Sequence, residues 1–148
     1  MDAIALLLKD HQRLKKLLKQ LVNTSQRATQ KRHELFTIIR FEAKLHETME
    51  EKFLYKHLRE MKQSFMNAFE HTEEVSLMNH VLLKMVNSDF SKDAWSAKAN
   101  VLMEISANHI AKEEDEKFPQ AIKLFTQQDL DQIGAQMRRF KERHSIKK

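Results

Sequence analysis

The chain has 148 residues, no cysteine, one glycine, one proline and a formal charge of +5. The missing cysteine excludes disulfides, Cys-ligated zinc, iron–sulfur clusters and thiol catalysis. Scarce glycine and proline leave little material for tight turns, and the abundant helix formers predict an all-α fold. No apolar run approaches the roughly 20 residues of a membrane span, and residues 1–8 lack the basic start and cleavage site of a signal peptide. The lysines and arginines are spread along helix faces, with one dense cluster over residues 138–148. This reads as a solvated basic surface rather than a nucleic-acid site, in a cytoplasmic protein that does not bind membranes.

In chain order, Asp2 caps a first helix whose apolar stripe is Ile4, Leu7, Leu8, His11, Leu14, Leu18, Leu21 and Val22, spaced by threes and fours. It frays at Asn23-Thr24-Ser25. A second helix starts near residues 28–31, with the stripe Leu35, Ile38, Ile39, Glu42, Leu45, His46, Met49, Glu50 and Phe53. A turn follows near residues 60–64, and Ser64 is expected to cap the third helix. That helix repeats Ala68, His71, Val75, Met78, Leu82 and Met85 and stops at Asn87-Ser88-Asp89. Ser91 or Asp93 caps the fourth, with Trp95, Ala99, Leu102, Ile105, His109 and Glu113 running to Phe118, where Pro119 kinks or ends it.

A last helix opens on Thr126-x-x-Asp129, a capping-box pattern. Its narrow stripe, Leu130, Ile133, Met137 and Phe140, docks on the outside of the bundle, with Gly134 allowing close approach. Residues 141–148 read as a loose, solvated tail. The expectation is one domain over residues 1–148. It comprises an antiparallel up-down-up-down four-helix bundle over about 2–125 and an additional C-terminal helix over about 127–145.

Each bundle helix carries one histidine on its apolar face. His71 and His109 lie each about 19 residues from the turn near residue 90, and His11 and His46 about 16 and 19 residues from the turn near 27. At a rise of roughly 1.5 Å per residue, all four fall in one layer. The second and fourth helices add more. His46-x-x-x-Glu50-Glu51 is answered 63 residues later by His109-x-x-x-Glu113-Glu114, and Tyr55 and Phe118 each follow their histidine by nine residues. Positions i and i+4 share a helix face, so each copy offers an imidazole and a carboxylate to one cation. Burying two carboxylates in an apolar layer costs several kcal/mol apiece unless a cation compensates them. Two copies predict a two-metal site.

The other histidines do not join. His80 lies 180° round the helix from His71, His33 is off its stripe, His57 is three turns, roughly 16 Å, from His46, and His144 is in the tail. Glu51 and Glu114 sit 100° round from their neighbours and are either solvated or orient an imidazole.

Asp10-His11-x-x-Leu14-x-x-Leu17-Leu18, the two His-x-x-x-Glu-Glu copies, Glu70-His71 and the closing Phe118-Pro119 resemble the hemerythrin-like, or HHE cation-binding, domain across nearly the whole chain. That resemblance implies a four-helix bundle with a non-haem di-iron centre. It further implies that His11, His46, His71 and His109 are terminal ligands, and that Glu50 and Glu113 bridge two iron ions together with an oxo or hydroxo group. Iron suits such a donor set. The chain departs from oxygen-carrying hemerythrins in three places. Val75 stands where they have a further histidine, Glu113 at i+4 replaces an aspartate at i+5, and Tyr55-Lys56 replaces Tyr-Pro. With six protein ligands, both irons keep an open position for O2, peroxide or nitric oxide. An apolar wall of Leu14, Met49, Phe53, Val75, Met78, Leu102 and Ile105 is expected around it. The functional classes are a small-molecule carrier, store or sensor, a di-iron redox enzyme (ferroxidase, peroxidase or NO-reducing), and an iron- or oxygen-responsive interaction module needing a protein partner.

Overall fold

Asp2 accepts a hydrogen bond from the Ala5 N–H at 2.9 Å and so starts α1 (Ala3–Val22). The chain is a computed structural model, which describes residues 1–145. After α1 come α2 (Thr29–Glu50), a short α3 (Lys56–Arg59), α4 (Phe65–Val86), α5 (Asp93–Lys112), α6 (Phe118–Leu124) and α7 (Gln127–His144). There is no strand among the described residues. The chain stays helical between α2 and α3 and between α5 and α6, but as π-helix, over Glu51–Tyr55 and Glu113–Lys117. The bundle's four rods are therefore α1, α2 with α3, α4, and α5 with α6. α1 packs on α2 and α5, α4 packs on α5, and α7 lies against α1 and α2 on the outside, as its narrow stripe predicts.

The core is in two parts. One cluster gathers Leu17, Leu18, Leu21, Leu35, Phe36, Leu82, Met85, Trp95 and Leu102 at one end. The other gathers Ile4, Leu7, Met49, Leu54, Tyr55, Ala68, Phe118, Leu130 and Met137 at the other. In every rod the site histidine falls between these two clusters, so a polar layer interrupts the apolar interior. Buried Arg32 fastens the far end, donating to the Phe90 carbonyl at 2.6 Å and to Ser96 at 2.8 Å, with its guanidinium 4.8 Å over the Trp95 ring.

The structure revises several local expectations. Ser64 precedes α4 but donates its hydroxyl to the Leu58 carbonyl at 2.6 Å instead of capping. The residue before α5 is Lys92, and neither Ser91 nor Asp93 caps it, because Ser91 bonds back to Asp89 at 2.9 Å. Ile38 is 37% exposed, and Glu42 pairs with Arg13 at 2.7 Å, so the buried face of α2 is narrower than its stripe. Pro119 does not end the rod. It sits in the first turn of α6, where a proline's missing N–H is tolerated. The capping box of Thr126 and Asp129 forms. The expected loose tail is helical through His144, held by Lys141 on Asp10, while residues 146–148 of that expectation lie outside the described residues.

Candidate metal centre

The six residues singled out by the repeat and the layered histidines come together. His11, His46, Glu50, His71, His109 and Glu113 are all buried, the glutamates completely. They form two groups of four that share both carboxylates: His11, His46, Glu50 and Glu113, then Glu50, His71, His109 and Glu113. Within each group the offered donor atoms lie within 4.8 Å of one another. Glu50 Oε1 is 2.6 Å from His46 Nε2, and its Oε2 is 3.3 Å from His71 Nε2. Glu113 Oε1 is 3.1 Å from His11 Nε2 and 3.4 Å from His109 Nε2, and its Oε2 is 3.4 Å from His71 Nδ1. Each carboxylate therefore spans the gap between the His11–His46 pair and the His71–His109 pair.

Three imidazoles turn Nε2 inward and Nδ1 toward an outer carboxylate. His11 Nδ1 is 2.8 Å from Glu114, His46 Nδ1 is 3.0 Å from Asp10, and His109 Nδ1 is 3.4 Å from Glu74. A carboxylate behind an imidazole fixes its tautomer and keeps the inner nitrogen a lone-pair donor. His71 differs, with both ring nitrogens facing the two glutamates and Tyr55 stacked on its ring. Of the two outer glutamates of the repeat, Glu114 takes the orienting role. Glu51 faces solvent and pairs with Arg59 at 2.5 Å. The other four histidines, His33, His57, His80 and His144, are exposed and lie outside the cluster, as expected.

The donor set fits a cation. Five buried atoms, His46 Nε2, both Glu50 oxygens, His71 Nδ1 and His109 Nδ1, have no hydrogen-bond partner. His46 Nε2 and Glu50 Oε1 stand 2.6 Å apart without aligning as a hydrogen bond. Each such orphan costs about 1–3 kcal/mol; a cation between the two glutamates removes that cost for His46 Nε2 and the Glu50 oxygens, whereas His109 Nδ1 lies on the outer side, toward Glu74. The electrostatics agree. Burial works against a charged His46, yet the charge of Glu50 and the hydrogen bond that His46 donates to Asp10 hold its pKa well above the usual imidazole value. Burial works against an ionised Glu113 too, but hydrogen bonds from His109 and His11 hold its carboxyl well below the usual range. Protons and a cation compete for the same charge, so metal uptake at such a site releases protons.

Beside the imidazoles is a small cavity of about 50 Å³, walled by Leu14, Leu18, Ile39, Met78, Leu82 and Leu102, with His11, His46 and His109 on its polar side. Leu14, Met78 and Leu102 were expected there. Met49, Phe53, Val75 and Ile105 do not line it. Met49 turns into the core cluster beneath α7, and Phe53 packs edge-on against Phe140 at 5.7 Å. Glu47, also on the wall, has its carboxyl pushed up to about 7 by burial and by the charge of Glu50.

The two π segments and buried Lys117 escaped the reading of the sequence, as did the places of Asp10 and Glu74 behind the imidazoles. One signal for the π segments was present. Nine residues along an α-helix is two and a half turns, so Tyr55 and Phe118 should face away from His46 and His109. Both are nevertheless buried. The wider i→i+5 turn after each glutamate rotates them inward. Phe118 then stacks on His11 at 5.5 Å and Tyr55 on His71 at 3.7 Å.

The hemerythrin HHE cation binding domain matches residues 2–121. The chain belongs to this family. Among solved structures it is similar to a hemerythrin HHE cation binding domain-containing protein from Mycobacterium kansasii. That likeness has a TM-score of 0.85 at 19% identity, over 97% of this chain and 87% of the other. At that identity it speaks for the fold alone. No curated protein matches the chain significantly. Within this cation-binding family, the His/Glu cluster is where the chain offers its buried donors. No helix among the described residues is long and apolar enough to cross a membrane.

Proposed function

We propose that the chain holds two iron ions between His11, His46, Glu50, His71, His109 and Glu113, and that the centre binds O2 or a related small molecule as carrier, store or sensor. The observation that most supports this is the sharing of Glu50 and Glu113 by two four-residue donor groups with unsatisfied buried atoms. Two separate mononuclear sites would have no need of common carboxylates. An iron pair with imidazole and carboxylate donors and open positions supplies a place for a diatomic ligand and electrons to exchange with it.

The chain's own residues do the rest. Glu114 and Asp10 hold the His11 and His46 imidazoles with Nε2 inward, and Glu74 faces His109 Nδ1 from 3.4 Å. The apolar cavity of about 50 Å³ has room for a guest of only a few atoms beside His11, His46 and His109. Tyr55 donates its hydroxyl to Glu113 at 2.7 Å. Burial first, then the charges of Glu113 and Glu50, push that phenol well above its usual pKa, so its proton stays on oxygen.

The same phenol favours a second reading. A buried O–H fixed beside Glu113 is a standing hydrogen-bond donor, able to steady charge that builds up during a redox reaction, which a carrier does not require. Anaerobic ferrous protein mixed with O2 and then placed under vacuum separates the two. Return of the ferrous spectrum supports binding, and irreversible oxidation supports turnover.

A further inference from the structure

The family match stops at residue 121, before α7 begins, yet α7 reaches the site. Its docking is close. A Cβ on Gly134 would stand 2.8 Å from the Ala3 nitrogen and 2.9 Å from the Met1 oxygen, so a bare glycine lies on the backbone that opens α1. Arg138 donates to the same Met1 carbonyl, and Gln127 donates to Asp2 at 3.0 Å. Two turns beyond Gly134, on the same face of α7, Lys141 donates to Asp10 Oδ1. The other oxygen of Asp10 is 3.0 Å from His46 Nδ1. One carboxylate thus joins the C-terminal helix to the His46 imidazole. The opposite half repeats the order, with Lys117 on Glu74 and Glu74 beside His109, but there the lysine comes from the bundle itself.

We infer that Lys141 is a positioning residue for the metal centre. By anchoring Asp10, it fixes the tautomer and ring orientation of His46, so α7 sets how tightly one of the two metals is held. The inference rests on the proposed role of His46 as a ligand. The physical reason is freedom of rotation. Asp10 has one oxygen on an ammonium and the other on Nδ1–H, which leaves the Nε2 lone pair inward. Without Lys141, the Asp10 carboxylate is free to swing toward solvent and the imidazole loses its fixed orientation.

The test uses Co2+ alone, titrated into the metal-free full chain and followed by visible ligand-field absorption, with transfer to a chelator giving release rates. Wild type should take up two equivalents. Asp10→Ala should weaken one of them about 10–100-fold, the usual effect of losing a partner behind a ligand. Lys141→Met, one step further out, should weaken the same one by roughly 3–10-fold and alter its absorption, the other staying unchanged. Lys141→Arg should restore it. Arg138→Ala loosens α7 without touching Asp10 and should leave both sites as they were. Binding by Lys141→Met that matches wild type overturns the inference alone. So does a loss reproduced by Arg138→Ala, which would make α7 docking the cause. If wild type takes up no cobalt, or His46→Ala binds it as wild type does, the metal reading and this inference fall together.

Discussion

Tyr55 lies face to face on His71, ring centroids 3.7 Å apart and planes within 8°, while its hydroxyl reaches Glu113 from the other half of the repeat. Its counterpart Phe118 stacks on His11 without a hydroxyl. Two copies of one His-x-x-x-Glu-Glu pattern therefore build an asymmetric centre. Tyr55→Phe keeps the stack and removes one hydrogen bond to a buried carboxylate. The metal-free protein should lose about 1.5–3 kcal/mol in urea unfolding, with metal stoichiometry unchanged. Loss of a metal equivalent would instead make the phenol oxygen a donor to the metal.

Helix register is testable on α4. His71 is 3% exposed between Glu50 and Glu113, whereas His80 faces solvent. His71→Ala should lose bound metal and His80→Ala should keep it, measured by metal analysis after reconstitution. The opposite pattern would mean that the face of α4 is misassigned.

Much of this was legible because helical periodicity is a strong signal. The four histidines interrupt apolar stripes at matching heights, and the repeated His-x-x-x-Glu places both carboxylates one turn along. Apart from Glu114, the partners behind the imidazoles were not legible. Asp10 acts on His46 of the neighbouring helix and Glu74 on His109, and which outward carboxylate meets which ring depends on how the rods rotate against each other. The π segments were hidden because a run of good helix formers carries no local mark of a widened turn. Ser64 reads as a cap by residue type, but the free Leu58 carbonyl claims its hydroxyl.

Asp2 gives a pH-dependent prediction. The Ala5 N–H, first, and the Gln127 side chain hold its carboxyl below the ordinary 3.8 in the folded chain. A depressed folded pKa adds stability that is present above the unfolded value and lost as pH falls through the folded one. Asp2→Ala should cost about 1 kcal/mol near neutrality, and the difference from wild type should shrink as pH drops below about 4. Urea unfolding of both proteins across that range checks it. A penalty constant with pH would mean that the ionised cap is not its source.

Gly134→Ala sets two effects against each other. Replacing a helical glycine gains up to about 1 kcal/mol, but the new methyl would meet backbone atoms at 2.8 Å, where only movement of α7 relieves it. Overpacking of this kind costs about 1–3 kcal/mol, so the net effect should be destabilising. Thermal unfolding decides between them, and a raised midpoint would mean that α7 has room to shift.

The central claim is that Glu50 and Glu113 are common to two metal sites. Iron and zinc analysis of the reconstituted full chain tests it most directly, with Glu50→Ala and Glu113→Ala alongside. Two irons per chain are expected, and loss of both, not one, when either glutamate is removed. A single tightly bound zinc or iron in the wild type, or one iron retained by each variant, would contradict it.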